Sequence, residues 1–314
     1  MARVYAMRYE AQGIVSVELR PIDAGSDVPP FEPGSHIDVH LPNGLVRSYS
    51  LCNPSTDRQR YVIGVLNDRK SRGGSRYIHD QLRVGAILKI SAPRNNFALV
   101  DSAHSVLVAG GIGITPIWSM LQKLVADERS VELLYFARSR QEAAFLPAIS
   151  ALCGTRVQCR FQFDDEHGGQ PDLAAALADK GTDSNYYCCG PVPMLDAFEQ
   201  ACEALNYRNA HIERFSAAPA QETGAGDACT VRLAKSCLTL EVPAGTSILD
   251  AMLNAGIQHE HSCKEGVCGS CEARILEGVA DHRDGVLSKR EREAGLTMMP
   301  CVSRCKRGPL VLDI

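Results

Sequence analysis

Four cysteines constrain this chain more than any other feature. In His261-Ser262-Cys263-Lys264-Glu265-Gly266-Val267-Cys268-Gly269-Ser270-Cys271 three thiols stand in the spacing C-x4-C-x2-C, and a fourth, Cys301, follows in Met298-Met299-Pro300-Cys301. That spacing is the plant-type [2Fe–2S] signature. Four thiolates must converge on two irons, so the fold has to bring three on one tight loop and the fourth from a returning strand. Gly266, Gly269 and the small Ser270 suit a loop whose backbone wraps closely and aims N–H groups at sulfur. Two other readings exist: buried reduced thiols acting as small apolar side chains, and zinc. A glycine-flanked polar loop makes a poor core, and structural zinc usually takes paired short spacings. Cys305 is a competitor for the fourth ligand, but its offset makes it a bystander.

The chain has 314 residues, which predicts two or three domains, each able to bury a core. Its 45% hydrophobic and 22% charged residues match ordinary globular proteins. A net charge of -4 and a pI near 6.1 give no electrostatic case for nucleic acid or an anionic membrane as partner. The opening stretch MARVYAMRYEAQG lacks the apolar core of a secretory signal, so a cytoplasmic location is expected. There the thirteen cysteines would be kept reduced, and their odd number argues against a closed set of disulfides. Ser105 to Gln122 is uncharged and apolar enough to raise the question of a membrane span. Gly110, Gly111, Gly113 and Pro116 break it into a strand, a glycine turn and a helix from Pro116 onward, so no span is expected.

The first hundred residues read as β structure, with alternation in GIVSVELRPI, HIDVHLP and RYVIGVL and turns at Pro33-Gly34 and Asn43-Gly44. A small antiparallel barrel fits them. From about Asp101, strand and helix alternate: SVLVAGG, PIWSMLQKLVADE, VELLYFA, QEAAFLPAISAL, VQCRFQF, PDLAAALAD, NYYCCGP and PMLDAFEQACEAL. That order predicts a parallel sheet flanked by helices. SAAPAQETGAGDA, after His211-Ile212-Glu213-Arg214-Phe215, reads as a linker. A hairpin in TVRLAKSCLTLEVPAG and a helix in SILDAMLNAGI then precede the cysteine loop.

Several turns point to phosphate and nucleotide chemistry. Gly110-Gly111-Ile112-Gly113-Ile114-Thr115-Pro116 follows a strand and opens a helix, where glycines admit a pyrophosphate to the helix end. It lacks the G-x-G-x-x-G spacing of classical dinucleotide folds. Cys189-Gly190-Pro191 closes another strand at the edge where open α/β sheets bind ligands. In Arg47-Ser48-Tyr49-Ser50, alternation puts Arg47 and Tyr49 on one face and Ser48 and Ser50 on the other. Arg72-Gly73-Gly74-Ser75 offers a further anion site, with an arginine, backbone N–H groups and a capping hydroxyl. Taken singly, each of these is also compatible with plain packing.

Together, in the order barrel, GGIGITP, CGP, linker and C-x4-C-x2-C…C, the residues resemble the phthalate dioxygenase reductase family, which includes vanillate demethylase reductase components. The resemblance covers nearly the whole chain. It implies a multi-domain protein: an antiparallel β-barrel flavin domain over 1–101, an α/β parallel-sheet NAD domain over 102–216, a linker over 217–228 and an α+β, β-grasp ferredoxin domain over 229–314. It implies FMN rather than FAD, NADH, and one [2Fe–2S] cluster on Cys263, Cys268, Cys271 and Cys301. Arg47, Ser48, Tyr49, Ser50, Gly64, Val65, Leu66 and Arg72 to Ser75 (with Gly73 and Gly74) would hold the flavin. Gly110, Gly111, Gly113, Thr115, Pro116, Arg138, Cys189, Gly190 and Pro191 would receive the nucleotide, with Phe215 over the ring. Ser50, Thr115 and Cys189 would stand at the reacting centre. Ala137-Arg138-Ser139-Arg140, where selectivity is read in such enzymes, carries two arginines and no acid, so NADH rests on the resemblance.

The implied role is transfer of electrons from NADH through flavin and cluster to the terminal oxygenase of a Rieske system acting on an aromatic substrate. An alternative is a reductase serving a cytochrome P450 or another acceptor. A third reading, from another class, is an electron-carrying or redox-sensing protein with a vestigial nucleotide domain. None of the nine histidines stands out, and His36, His79, His259, His261 and His282 read as surface or structural residues.

Overall fold

The structure is a computed structural model that describes residues 1–23, 25–69, 71–215 and 228–314. The stretch expected to be a linker falls almost wholly outside the described residues. Contacts divide the chain into two units, Met1–Glu213 and Arg214–Ile314.

The first unit begins with β1 (Ala2–Ala11), β2 (Ile14–Pro21), β3 (Ser35–His40), β4 (Val46–Ser50), β5 (Tyr61–Leu66), α1 (Gly74–Asp80), β6 (Ile87–Ile90) and β7 (Arg94–Asn95). The strands pair antiparallel in the order β4-β3-β6-β1-β2-β5, with β7 on β3. A bridge between Leu51 and Ile63 joins the two ends, closing the expected barrel around Val4, Val17, Ile37, Val39, Tyr61 and Val65. Closure removes the free edges that an open sheet would expose.

The same unit continues with β8 (His104–Gly110), α2 (Ile114–Ala126), β9 (Ser130–Ala137), α3 (Leu146–Ser150), β10 (Val157–Phe163), α4 (Asp164–His167), α5 (Leu173–Leu177), β11 (Asn185–Cys189), α6 (Val192–Ala204) and β12 (Ala210–Glu213). The five strands are all parallel, in the order β10-β9-β8-β11-β12. Three details differ from the sequence reading. The helix after the glycine turn starts at Ile114, behind a 3-10 turn over Gly111–Gly113, so Pro116 is third in the helix. Pro116 still sits in the first turn, where its missing N–H costs nothing. QEAAFLPAISAL forms the end of a 3-10 turn over Arg140–Glu142 and the short α3 instead of one helix, because Phe145 takes a left-handed φ of 58° and ends any helix running into Leu146. Cys153 and Cys159 form a disulfide across the loop entering β10, whereas reduced thiols were expected.

Barrel and sheet share one core: Ala11, Ile14, Cys52 and Phe97 from the barrel pack with Leu107, Ile117, Met120 and Tyr187 from the sheet side. Helix α2 adds polar ties, Ser119 Oγ donating to the Asn53 carbonyl at 3.2 Å and Gln122 Nε2 to that of Cys52 at 2.9 Å. This shared core is why the two sheets cluster as one unit. Ser105 to Gln122 is the buried strand and helix that the glycines predicted, and no helix among the described residues is long and apolar enough to cross a membrane.

The second unit holds β13 (Cys229–Leu233), β14 (Leu238–Val242), α7 (Ile248–Asn254), β15 (Ala273–Asp281), α8 (Lys289–Ala294), β16 (Thr297–Met298) and β17 (Arg304–Leu312). Its mixed sheet runs β14-β13-β17-β15-β16, with β13 and β17 parallel and the other pairs antiparallel. The core lies between the sheet and α7, whose Ile248 and Met252 join Val231, Leu233, Met298 and Leu310.

Candidate functional site

In the barrel, Arg47 on β4 lies across the turn that precedes α1. A Cβ added at Gly74 would meet Arg47 Cγ at 2.7 Å and Nε at 2.8 Å, so only glycine leaves room for this guanidinium. Arg47 Nη2 reaches the Arg72 carbonyl at 3.5 Å, and Gly73 takes φ +98°. The cradle of one guanidinium over a glycine turn is the donor chemistry that a phosphate needs. The hydroxyl that organises this turn is Ser71, not Ser75. Ser71 Oγ accepts from the N–H groups of Gly73 at 3.2 Å and Arg76 at 3.4 Å, while Ser75 donates to Ser71 at 2.9 Å. Ser71 carried no signal in the sequence beyond its place beside the glycines.

The two serines of β4 take different partners. Ser48 Oγ donates to the buried Asp38 at 2.6 Å, and Arg94 holds the other oxygen of that carboxylate at 2.6 Å. Tyr49 packs against the barrel core, and burial pushes its phenol well above the ordinary range. Ser50 is buried and donates to Glu213 Oε2 at 3.4 Å. Glu213 was passed over in the sequence. A carboxylate next to apolar Ile212 at the end of a parallel strand was the available signal.

The glycine turns are pressed together because β8 and β11 are neighbours, with Ala109 opposite Cys189. A Cβ at Gly113 would stand 2.1 Å from the Cys189 carbonyl oxygen, and one at Gly110 would meet Met194 Sδ at 2.4 Å and Pro191 Cδ at 2.8 Å. Gly111 alone of the three faces open space, at φ +54°. Thr115 is buried against the barrel strand β5, where a Cβ at Gly64 would meet its Cγ2 at 2.5 Å. Its hydroxyl donates to the Ile112 carbonyl at 3.0 Å. Val65 points into the barrel core, its carbonyl bonded to His79 Nε2 at 2.9 Å, and Leu66 packs on the shared core.

Cys189 pairs in register with Glu213. Burial, then the neighbouring Glu213 charge, pushes its thiol far up, so it stays neutral. Burial likewise pushes the Glu213 carboxyl up to about 8, with the Ser50 hydrogen bond opposing. A carboxyl that is protonated at neutral pH, a serine hydroxyl and a neutral thiol therefore meet where the barrel abuts the sheet. They can hold and pass a proton, and they offer no thiolate nucleophile.

At the carboxyl ends of β9 and β10 the chain places Arg138, Arg140, Asp164, Asp165 and Glu166, since Ala137 and Phe163 are paired. Asp165 N–H donates to the Arg138 carbonyl at 3.1 Å. The acid missing from Ala137 to Arg140 thus arrives from the next strand.

In the second unit the cysteine loop is shaped by left-handed backbone at Lys264 (φ 56°), Gly266 (φ 70°) and Gly269 (φ 72°). Gly266 is packed so closely that a Cβ would meet Val302 Cγ2 at 2.5 Å. The four thiols form two hydrogen-bonded pairs, Cys263 with Cys268 and Cys271 with Cys301. The bond from Cys263, helped by Ser270, holds the Cys268 thiol below the ordinary range and raises Cys263. Backbone N–H groups turn to sulfur as expected: Glu265 N is 3.3 Å from Cys263 Sγ, and Ser270 and Gly266 serve Cys268 and Cys301.

Two thiol pairs with amide donors fit two irons, each taking two thiolates. The x4 gap and the distant fourth cysteine favour this reading over the paired short spacings of structural zinc. Cys305 lies on β17 opposite Ala280, its thiol turned to the Gly308 carbonyl. His259 Nε2 bonds the Cys271 carbonyl at 3.1 Å, a structural role. Phe215 is 40% exposed and falls with the second unit.

Two family models match, the 2Fe-2S iron-sulfur cluster binding domain over 228–306 and the oxidoreductase NAD-binding domain over 107–200. The chain is 46% identical to phenoxybenzoate dioxygenase subunit beta of Ectopseudomonas oleovorans over 99% of this chain and 96% of that one. It is 48% identical to tetrachlorobenzoquinone reductase of Sphingobium chlorophenolicum over 97% and 94%. Among solved structures it matches an intact type IV self-sufficient cytochrome P450 monooxygenase (TM-score 0.90, 39% identity), covering all of this chain and 40% of that longer one. It matches phthalate dioxygenase reductase, described as a modular structure for electron transfer from pyridine nucleotides to [2Fe–2S], at TM-score 0.71 and 36% identity over 100% and 97%. The chain is an oxidoreductase that belongs to the phthalate dioxygenase reductase family.

Proposed function

We propose that this protein is the reductase component of a Rieske-type aromatic-ring oxygenase or O-demethylase system, taking electrons from NADH and delivering them to a terminal oxygenase. The observation that carries the reading is the end-to-end likeness to a dioxygenase subunit, over 99% of the chain, with the cysteine loop and glycine turns both present. Functionally we divide the chain into a flavin part over 1–101, a nucleotide part over 102–216, a connection over 217–228 and a ferredoxin part over 229–314. Bound FMN and a [2Fe–2S] cluster would supply the conversion of a two-electron donor into single electrons.

The chain's own residues do the rest. Arg47 and the Gly73-Gly74 turn bind the flavin phosphate, and Ser48, Tyr49, Ser50 and the strand Gly64 to Leu66 hold its ring. Gly111, the open glycine, and Cys189-Gly190-Pro191 receive the dinucleotide, with Thr115 between the two ligands. Arg138 stands at its far end. Each NADH whose two electrons leave singly also leaves one proton. The Glu213 carboxyl, hydrogen-bonded to Ser50 and already protonated at neutral pH, can only relay that proton, giving up its own and taking this one in its place. Cys263, Cys268, Cys271 and Cys301 hold the cluster.

Purified protein should show overlapping flavin and iron–sulfur absorbance that bleaches with anaerobic NADH, and released flavin should run as FMN on chromatography. Reconstitution with a Rieske oxygenase and an aromatic acid should give turnover. A second reading, service to a cytochrome P450, is favoured by the match to the P450 fusion. Efficient turnover of a P450 with none of the oxygenase would decide for it.

A further inference from the structure

The ends of β9 and β10 carry a feature that electron transfer by itself does not require. Arg140 is held by Glu166 through both oxygens, Nε to Oε1 at 3.0 Å and Nη2 to Oε2 at 3.1 Å. The guanidinium carbon lies 4.6 Å from the centroid of the Phe163 ring. Ser139, Arg140, Gln141, Asp165 and Glu166 line a shallow depression of about 380 Å³. An exposed ion pair adds little to stability, so this two-pronged, ring-backed geometry asks for another use.

Its place in the sheet suggests one. In open α/β sheets ligands bind outside the carboxyl ends of the strands. The glycine turn follows β8, and β9 and β10 are its first and second neighbours on one side. Neighbouring strands lie about 4.8 Å apart, so a dinucleotide with its pyrophosphate at the turn reaches this depression with its adenosine half. NADH and NADPH differ there by one group, a 2′-hydroxyl or a 2′-phosphate. A phosphate brings roughly two negative charges and seeks a guanidinium with both prongs free. Arg140 has already given both to Glu166, and Asp165 lines the same wall. Counting both strand ends, three carboxylates (Asp164, Asp165, Glu166) oppose two guanidiniums (Arg138, Arg140), so a dianion meets a net negative rim.

We propose that Glu166, by occupying Arg140, is the specificity-determining residue that makes this chain prefer the dinucleotide with a free 2′-hydroxyl. The inference rests on the nucleotide site assigned above, and it makes the pair a gate against the 2′-phosphate rather than a contact for the ribose alone. Glu166→Gln leaves the shape and removes the charge, returning Arg140 to an incoming phosphate.

The test is calorimetric binding of ADP-ribose and 2′-phospho-ADP-ribose to the holoprotein, since neither probe transfers hydride and turnover does not enter. Glu166→Gln should tighten the phosphorylated probe relative to ADP-ribose by roughly tenfold, the equivalent of about 1.4 kcal/mol. The gain should shrink in high salt and vanish in the double variant Glu166→Gln/Arg140→Ala. An unchanged ratio in Glu166→Gln, with ADP-ribose still binding, overturns the gate while leaving the nucleotide site in place. A gain that survives without Arg140 also overturns it. If ADP-ribose does not bind the holoprotein at all, the nucleotide reading falls and the gate with it.

Discussion

The glycine turns of the parallel sheet and the cysteine loop of the second unit are built from the same residue types, glycine and cysteine, yet different forces hold them. At Gly110 and Gly113 the constraint is tertiary: neighbouring strands press two turns into contact, and a Cβ has nowhere to go. In the cysteine loop much of it is local: three residues in left-handed backbone wrap the chain round its own thiols, with Gly266 also packed against Val302. A site formed by packing stands ready before its ligand arrives. A site formed by a loop of paired thiols gains much of its order from metal binding, because thiolates repel until iron joins them.

Removing a ligand tests this contrast most severely. Cys301→Ser should abolish the iron–sulfur absorbance and reduce electron delivery to a protein acceptor to background, while flavin absorbance and its bleaching by NADH persist. Retained delivery would mean that the cluster is not the exit. Next in size is Gly113→Ala, whose Cβ would stand 2.1 Å from the Cys189 carbonyl oxygen. It should destabilise the first unit by about 3 kcal/mol in urea unfolding, the upper end for overpacking, and leave iron content alone. Gly111→Ala, which meets no neighbour, should cost only the left-handed backbone, about 1 kcal/mol.

A third prediction concerns pH. Unfolded, Glu213 ionises in the ordinary carboxylate range, whereas the folded chain keeps its proton up to about 8. Across that window the folded state binds more protons than the unfolded one, so stability falls as pH rises. Glu213→Gln should flatten this slope in melting curves taken from pH 5 to about 8, and an unchanged slope would remove Glu213 as its cause. The smallest effect is expected in the cysteine loop, at Lys264, which combines φ 56° with an exposed ion pair to Asp250 at 2.9 Å. Lys264→Gly relieves the backbone and loses the pair, so unfolding of the second unit should move by less than about 1 kcal/mol.

How much could be read beforehand follows the same division. The cysteine motif and the cluster type it signals were legible because thiol spacing is a one-dimensional record of a local loop. The two sheet types and the grouping of Arg47 with the Gly73-Gly74 turn were partly legible, through alternation and glycine positions. Ser71 displaced Ser75 as the organising hydroxyl because a hydroxyl's partner depends on side-chain direction, which spacing does not record. Glu213 and Glu166 were invisible as site residues because each is distant in sequence from what it meets, Ser50 and Arg140. The disulfide at Cys153 and Cys159 was missed for a different reason, since the expectation argued from compartment and odd count rather than from the loop that brings the two thiols together.

The sequence by itself determined the cluster type and the four-cysteine pattern, the barrel, the alternating strand-and-helix order and the family. These rest on local chemistry: spacing, alternation and turn residues. Only the tertiary structure decided that barrel and parallel sheet share one core, that a protonated carboxyl stands beside Ser50 and Cys189, and that Arg140 is already taken. Those facts depend on which strands become neighbours, and parallel pairing joins residues that the chain keeps far apart.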